Sequence, residues 1–151
     1  MSWSAKLSEL GIELPPVVTP LAAYVPAVQT GNLVYTSGQL PITDGQLLSS
    51  GKVGADVSAE DAKQLARVCA LNALAAVHAL VGIDKVVKVV KVVGFVASAA
   101  GFDGQPGVIN GASELFGEVF GDAGAHARSA VGVAELPRNA PVEVEIVVEI
   151  A

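Results

Sequence analysis

Two apolar segments near the C-terminus constrain the fold most strongly. Residues 126–137 and 141–148 are rich in alanine and valine and are separated by a turn that contains proline and asparagine, a pattern that predicts two strands. Arg128 stands at the start of the first strand. In the second strand, Glu143 and Glu145 alternate with apolar residues, so the two glutamates should lie on the same face of that strand.

An arginine in an otherwise apolar strand needs a polar or anionic partner. The chain has only two other arginines, Arg67 and Arg138, so this position is unusual. Two partners fit Arg128. One is the carboxylate of a small ligand, which a planar guanidinium grips through two parallel hydrogen bonds. The other is a structural salt bridge to Glu143 or Glu145, and the strand pattern by itself favours neither partner.

Two amphipathic helices are predicted from apolar residues that recur with a 3.6-residue period. The first begins at Ser58, whose hydroxyl can cap the helix, and ends at Gly82, which we expect in a left-handed conformation. The second follows Pro106, carries Asn110 early in its length, and ends at Gly121. The apolar positions of the first helix are Ala62, Leu65, Ala66, Cys69, Ala73, Ala76 and Leu80, and those of the second are Val108, Ile109, Ala112, Leu115, Phe116, Val119 and Phe120.

Residues 85–96 begin with a lysine at every third position, namely Lys85, Lys88 and Lys91. This spacing is compatible with either a helix or a strand. The many valines favour a strand, because branching at Cβ suits the pleated surface of a sheet. In a regular strand, Lys88 and Lys91 would lie on opposite faces. A short strand is also predicted for residues 33–37, and residues 17–29 contain two prolines, which predict an edge strand or an irregular segment.

The order of elements is strand, strand, helix, strand, helix, strand, strand, which predicts a two-layer α+β domain with a mixed sheet and both helices on one face. Residues 1–16 form a short N-terminal arm and residues 17–151 form the domain. Asp44-Gly45 predicts a hairpin turn within the domain. The far face of the sheet also needs a cover, because its strands are nearly continuously apolar. A symmetric trimer whose sheets pack into a barrel-like core would provide one.

The composition favours a homo-oligomer and makes nucleic acid an unlikely partner. Apolar residues make up 52% of the 151 residues and charged residues 16%, and obligate interfaces between subunits hide apolar surface of this kind. The net charge is −6 and the pI about 4.7. Nucleic-acid binders usually carry a basic patch, whereas the one basic cluster in this sequence consists of Lys85, Lys88 and Lys91.

Compartment and metal chemistry are constrained as well. No run approaches the roughly 18 apolar residues of a membrane span, and the first residues lack the apolar core of a secretory signal, so we expect a cytoplasmic protein with no membrane partner. The one cysteine, Cys69, is interpreted as a packed core residue. His78 and His126 have no metal-ligand spacing with it, so no metal site is predicted. His126 is interpreted as a surface loop residue.

Two motifs resemble the signatures of the RidA (YjgF, endoribonuclease L-PSP-like) family. The first is Tyr24 followed by residues 30–41, which run Thr-Gly-Asn-Leu-Val-Tyr-Thr-Ser-Gly-Gln-Leu-Pro. The second combines Ala127-Arg128-Ser129, Val131-Gly132-Val133, Leu136-Pro137 and Val142-Glu143-Val144-Glu145. The resemblance covers about residues 17–150, with both motifs in the order that the family shows.

Membership would imply a chorismate-mutase-like homotrimer with active sites in clefts between subunits. The best-known members hydrolyse reactive enamine/imine intermediates, such as 2-aminoacrylate, to 2-keto acids and ammonia, and require no cofactor. By matched position, the resemblance implies that Arg128 holds the carboxylate of a small imine or 2-keto acid and that Glu143 orients or activates the attacking water. The other substrate-binding residues that it implies are Tyr24, Ser37, Gly38 and Asn110.

Hydrolysis of an imine requires few catalytic groups. The imine is already electrophilic, so a fixed carboxylate and a water beside a basic carboxylate are sufficient. One departure keeps other functions open, because Ala130 stands where the well-studied deaminases have a cysteine. The second hypothesis is a non-catalytic trimeric protein that binds small carboxylate metabolites. The third is an endoribonuclease or translation inhibitor, which the acidic pI opposes.

Overall fold

The structure is a computed structural model that describes residues 2–20 and 22–151. Met1 in the predicted arm and Leu21 in the predicted irregular segment lie outside the described residues. The helices are α1 (Trp3–Glu9), α2 (Ala59–Val81) and α3 (Gln105–Phe120). The strands are β1 (Ala27–Thr30), β2 (Leu33–Thr36), β3 (Ile42–Thr43), β4 (Gln46–Leu47), β5 (Val86–Ala97), β6 (Ala127–Val133) and β7 (Val142–Ile150).

Within the described residues, five strands form one sheet in the order β1-β2-β7-β5-β6, and β3 pairs with β4 in a separate hairpin. Strands β5 and β6 run parallel, and the other neighbouring strands run antiparallel. Helices α2 and α3 pack against each other and against the sheet. The predicted two-layer α+β fold, with a mixed sheet and helices on one face, is confirmed, and so is the hairpin at Asp44-Gly45.

Strand β7 shows which side of the sheet the helices cover. Its residues alternate between buried and half-buried along the whole strand. The buried set belongs to the hydrophobic core beneath the helices and comprises Val142, Val144, Ile146, Val148 and Ile150. Glu143, Glu145 and Glu149 therefore point away from the helices, and the prediction that Glu143 and Glu145 share a face is confirmed. We call the side of the sheet that carries these glutamates the open face.

Two bulges in β5 explain its lysine pattern. The pairing of β5 with β7 shifts by one residue twice before Val92, so at each shift two residues of β5 oppose one residue of β7. As a result Lys88 pairs with Glu149 and Lys91 with Val147, and both lysines lie on the open face. The expectation that they would lie on opposite faces is wrong, because it assumed a strand without bulges.

Helix α2 begins as predicted, since Ser58 Oγ accepts a hydrogen bond from Asp61 N–H at 3.1 Å. Its end differs in two respects. Leu80 is exposed together with His78 and Ala79, so it does not belong to the buried stripe. Gly82 has φ 86° and ψ 132°, a positive φ but not the left-handed helical conformation. His78 Nδ1 accepts from the Ile83 N–H at 3.1 Å and completes this turn.

The middle of α2 lies in the core. By length and composition this helix could cross a membrane, but half of its most apolar stretch of 18 residues is buried inside the protein. Cys69 is fully buried, as predicted. Asn72 is also buried, and its Nδ2 donates to the carbonyl oxygens of Leu40 at 3.1 Å and Ile42 at 2.9 Å. These bonds fasten the β3–β4 hairpin to α2, a role that the apolar pattern did not indicate.

Helix α1 packs against the strand β5 and the end of α3. Trp3 Nε1 donates to the Val86 carbonyl at 2.7 Å, and its ring meets Phe120 edge to face at a centroid distance of 5.1 Å. Leu7 is buried, whereas Leu10 is exposed.

At Gly111 the backbones of α3 and α2 meet so closely that a Cβ would collide with the Lys63 carbonyl oxygen. We expect Gly111→Ala to lower the free energy of unfolding by about 1–3 kcal/mol, because the two helices would have to separate. Gly117 lies on the same helix, and a Cβ there meets nothing within 4 Å. Gly117→Ala should therefore raise stability by about 0.5–1 kcal/mol through helix propensity. Denaturant unfolding measures the stability change in both variants. Equal changes for Gly111→Ala and Gly117→Ala would contradict the close contact of α2 and α3 at Gly111.

Candidate functional site

Arg128 lies on the edge strand β6 and reaches toward helix α3. It pairs with Val92 of β5, and Val92 is fully buried beneath the helices, so the arginine points to the helix side of the sheet. Its Nη1 donates to Asn110 Oδ1 at 2.8 Å and to Ser113 Oγ at 3.2 Å. Asn110 and Ser113 are three positions apart on α3 and therefore share one face of the helix.

The positive charge of Arg128 has no counter-charge within the described residues. None of the ion pairs found there involves Arg128, and the atoms that accept from it are a neutral amide and a neutral hydroxyl. Arg67 shows the contrast, since its two terminal nitrogens bind both carboxylate oxygens of Glu118 at 3.2 and 3.1 Å. The structure therefore does not contain the alternative salt bridge from Arg128 to Glu143 or Glu145.

His126 extends this hydrogen-bonded group. Its Nε2 lies 2.8 Å from Ser113 Oγ, and its Nδ1 lies 2.6 Å from the Gly124 carbonyl oxygen. The ring also meets Phe116 edge to face at a centroid distance of 5.9 Å. His126 lies in the loop before β6, as predicted, but it is half-buried and bonded on both ring nitrogens, so the prediction that it is exposed at the surface is wrong. Its position two residues before Arg128 was the available signal.

Glu143 lies on the open face and pairs with Phe95 of β5. The Glu143 carboxylate lies against the backbone of Gly38, where an added Cβ would make it shift. Burial raises the pKa of Glu143 above its ordinary value, and the negative charge of Glu145 raises that pKa further. A carboxylate with a raised pKa accepts a proton more readily at neutral pH than an ordinary glutamate does.

The predicted pocket residues at the N-terminal side lie near Glu143. Tyr24 and Gly38 line the same small cavity, of about 20 Å³, and the Tyr24 side chain is exposed. Ser37 Oγ donates to the Val25 carbonyl at 2.6 Å. This bond ties β2 to the irregular segment that carries Tyr24. The structure therefore brings Tyr24, Ser37 and Gly38 together, and Gly38 alone of the three is shown in contact with Glu143.

The predicted site residues form two separate groups within one chain. Arg128 and Asn110 lie on the helix side at the β6 edge, whereas Glu143 and Gly38 lie on the open face. Strand β5 stands between β6 and β7, which separates their axes by about 9–10 Å. A single chain therefore does not place the arginine and the glutamate around one ligand, and the catalytic and binding roles of these residues stay predictions.

The other reactive groups offer no second chemistry. Burial raises the pKa of the Cys69 thiol well above its ordinary value, and the Glu143 charge adds to the effect, so Cys69 is not a nucleophile at neutral pH. In the part of the chain that the structure describes, no three His, Cys, Asp or Glu side chains come together as metal ligands would.

The coupling between the two glutamates is testable without knowledge of the function. We expect Glu145→Gln to lower the pKa of Glu143, because the neutral amide no longer opposes ionisation of its neighbour. Burial remains, so the pKa should stay above the ordinary glutamate value. A pH titration of the Glu143 side-chain carboxyl resonance measures this shift. Glu135→Gln, an exposed change outside the pairing of β7, is the control, and an unchanged Glu143 midpoint in Glu145→Gln would contradict the coupling.

Comparison with known proteins agrees with the sequence motifs. A sequence model of the family described as endoribonuclease L-PSP matches residues 16–150. The chain is 43% identical to Protein TCP17 of Trypanosoma cruzi, over 97% of this chain and 93% of that protein. It is 35% identical to a Dermatophagoides farinae protein named 2-iminobutanoate/2-iminopropanoate deaminase, over 92% of this chain and 94% of that protein.

Solved structures show the same relationship. The crystal structure of the Atu1372 protein from Agrobacterium tumefaciens is 46% identical and superposes with a TM-score of 0.90, over 99% of this chain and 92% of that one. The residues that match the family model, 16–150, include both motifs. The chain therefore belongs to the endoribonuclease L-PSP family, which is also known as the YjgF/RidA family.

Proposed function

We propose that this protein hydrolyses reactive enamine/imine intermediates of the 2-aminoacrylate type to 2-keto acids and ammonia, without a cofactor. The observation that carries the proposal is the half-buried guanidinium of Arg128, whose charge meets no carboxylate in the described chain. Leaving a partly buried cation without a counter-ion costs free energy, and a ligand carboxylate would repay that cost. The deaminase name of the Dermatophagoides farinae relative supports the same substrate class.

The residues present match the needs of the reaction. An enamine such as 2-aminoacrylate first gains a proton at its terminal carbon and loses one from nitrogen, which gives the 2-imino acid. Hydrolysis then adds water to the C=N carbon, and the resulting carbinolamine expels ammonia and leaves the 2-keto acid. Arg128 holds the carboxylate and so fixes the position of the C=N bond. Glu143 takes a proton from the attacking water and returns it to the leaving nitrogen, a role that suits a carboxylate with a raised pKa.

We further propose that the site is completed by a second copy of the chain in a homotrimer. The Arg128 group and the Glu143 group lie on different sides of one sheet, so a neighbouring subunit has to bring one group to the other. The open face also leaves large apolar side chains exposed, among them Val28, Tyr35 and Val131. Packing such faces together, as in a barrel-like core, would hide this surface.

The first test is Arg128→Ala, measured as release of 2-keto acid from enzymatically generated 2-aminoacrylate. We expect kcat/KM to fall by about 100-fold, since the variant loses charge-assisted hydrogen bonds to the substrate carboxylate. Arg67→Ala is the matched control, because Arg67 is already paired with Glu118, and its activity should stay near that of the wild type.

Calorimetry with a 2-keto acid distinguishes the remaining outcomes. Binding that depends on Arg128 without any turnover by the wild type would replace the proposal with a non-catalytic binding protein for small carboxylates. Turnover that is indifferent to Arg128→Ala would overturn the assignment of the arginine.

The second test uses subunit mixing. Arg128→Ala and Glu143→Gln chains should each be inactive alone. When they are refolded together, about a quarter of the sites in random trimers would combine an intact arginine from one subunit with an intact glutamate from its neighbour. We therefore expect activity to recover to about a quarter of the wild-type value. Mixing either variant with chains that carry both substitutions is the control. No recovery in mixed trimers verified by mass spectrometry would contradict a shared site.

A further inference from the structure

We propose that Ser113 and His126 are positioning residues for Arg128, and that they turn its Nε–Nη2 edge toward the ligand carboxylate. This inference rests on the proposed function only in taking Arg128 as the group that binds the carboxylate. It assigns a role to two side chains outside both motifs on which the family resemblance was recognised. The evidence is the chain of hydrogen bonds that runs from Gly124 through His126 and Ser113 to Arg128.

The direction of each hydrogen bond follows from chemistry. The Gly124 carbonyl oxygen can only accept, so His126 Nδ1 must be protonated and donate to it. In the neutral imidazole, Nε2 is then an acceptor and takes the one hydrogen of the Ser113 hydroxyl. The Ser113 oxygen is left with lone pairs alone for Arg128, so it accepts from Nη1 and does not compete with it as a donor.

The guanidinium is therefore engaged on one side. Nη1 carries two hydrogens, and Asn110 Oδ1 and Ser113 Oγ accept both. A guanidinium has five N–H donors, so three remain, on Nε and Nη2. No hydrogen bond from Nε or Nη2 occurs among the side-chain contacts of the described residues. These two nitrogens form the side-on fork that binds a carboxylate through two parallel bonds.

His126 is a rigid support for this arrangement. It is held by the backbone of Gly124, and its ring packs edge to face on the fully buried Phe116. The Gly124 backbone is itself tightly packed, because a Cβ there would collide with the Phe116 carbonyl oxygen. A flexible arginine loses rotamer freedom on binding a ligand, and a support that orders it beforehand removes part of that cost.

The experiment compares two ligands and a set of matched variants in the full-length protein. The ligands are pyruvate and its neutral analogue pyruvamide, with dissociation constants from calorimetry. Ser113→Ala removes the hydroxyl. His126→Asn places an amide nitrogen where Nδ1 was and keeps the bond to Gly124 but not the one to Ser113. His126→Gln places an amide oxygen where Nε2 was and keeps the acceptor for Ser113. His78→Asn, at the end of α2, is the histidine control.

We expect Ser113→Ala and His126→Asn to weaken pyruvate binding by about 5–10-fold, because each removes one link that orders the guanidinium. Pyruvamide binding should not change, since it has no carboxylate. His126→Gln should lose less affinity for pyruvate than His126→Asn, because it keeps the acceptor for Ser113 although it gives up the bond to Gly124. His78→Asn should bind pyruvate like the wild type. Equal losses for both ligands, equal losses for His126→Asn and His126→Gln, or no loss in any variant would overturn the proposal.

A ligand-free measurement separates this inference from the proposed function. In the wild type, the bonded Nη1 should slow rotation about the Nε–Cζ bond of Arg128, so its terminal NH₂ groups should give separate ¹⁵N resonances. Ser113→Ala should average these resonances, and His126→Gln should not. If the wild type binds no pyruvate but this difference is present, the proposed function fails and the positioning role stands. Averaged resonances in the wild type would overturn the positioning role itself.

Discussion

The structure depends on the pairing of the central strand β5 with β7 on one edge and β6 on the other. Val92 is the partner of both Arg128 and Ile146, and Phe95 is the partner of Glu143. Because paired residues in a sheet point to the same side, this register sends Arg128 under the helices and Glu143 to the open face. A register slip of one residue in either pairing would exchange these faces. The separation of the two groups is thus a property of backbone hydrogen bonding.

The Arg128 and Glu143 side chains both lower the folding stability of an isolated chain. The guanidinium of Arg128 is half-buried without a counter-charge in the described residues, and Glu143 is desolvated beside a second glutamate. Because the folded state holds the Glu143 proton more tightly than the unfolded state does, ionisation of this group costs stability as pH rises from the ordinary carboxyl pKa toward the raised one. Proteins retain costs of this kind mainly where a ligand or a partner uses them.

The surroundings of Arg128 combine an apolar and a polar side. Ala130 stands two residues after Arg128, so no thiol lies there. On the other side of Arg128, Ser113 and His126 form a hydrogen-bonded support that ends on a backbone carbonyl. Neutral acceptors hold the arginine in place and leave its positive charge uncompensated. A salt bridge such as the one between Arg67 and Glu118 would neutralise that charge.

The sequence by itself determined the two long helices, most strands, the two-layer class and the family, because apolar periodicity and turn residues act locally and each motif lies within a short stretch of the chain. It also determined that Glu143 and Glu145 share a face, since strand alternation needs no tertiary information. Only the tertiary structure decided the faces of Lys88 and Lys91, because the two bulges arise from pairing with β7. It alone decided that Arg128 bonds to α3 and not to a glutamate, and that His126 is half-buried and bonded to Ser113. The hydrogen bonds of Arg128 and His126 join residues that are 13 to 18 positions apart in the chain, and no local sequence pattern specifies such contacts.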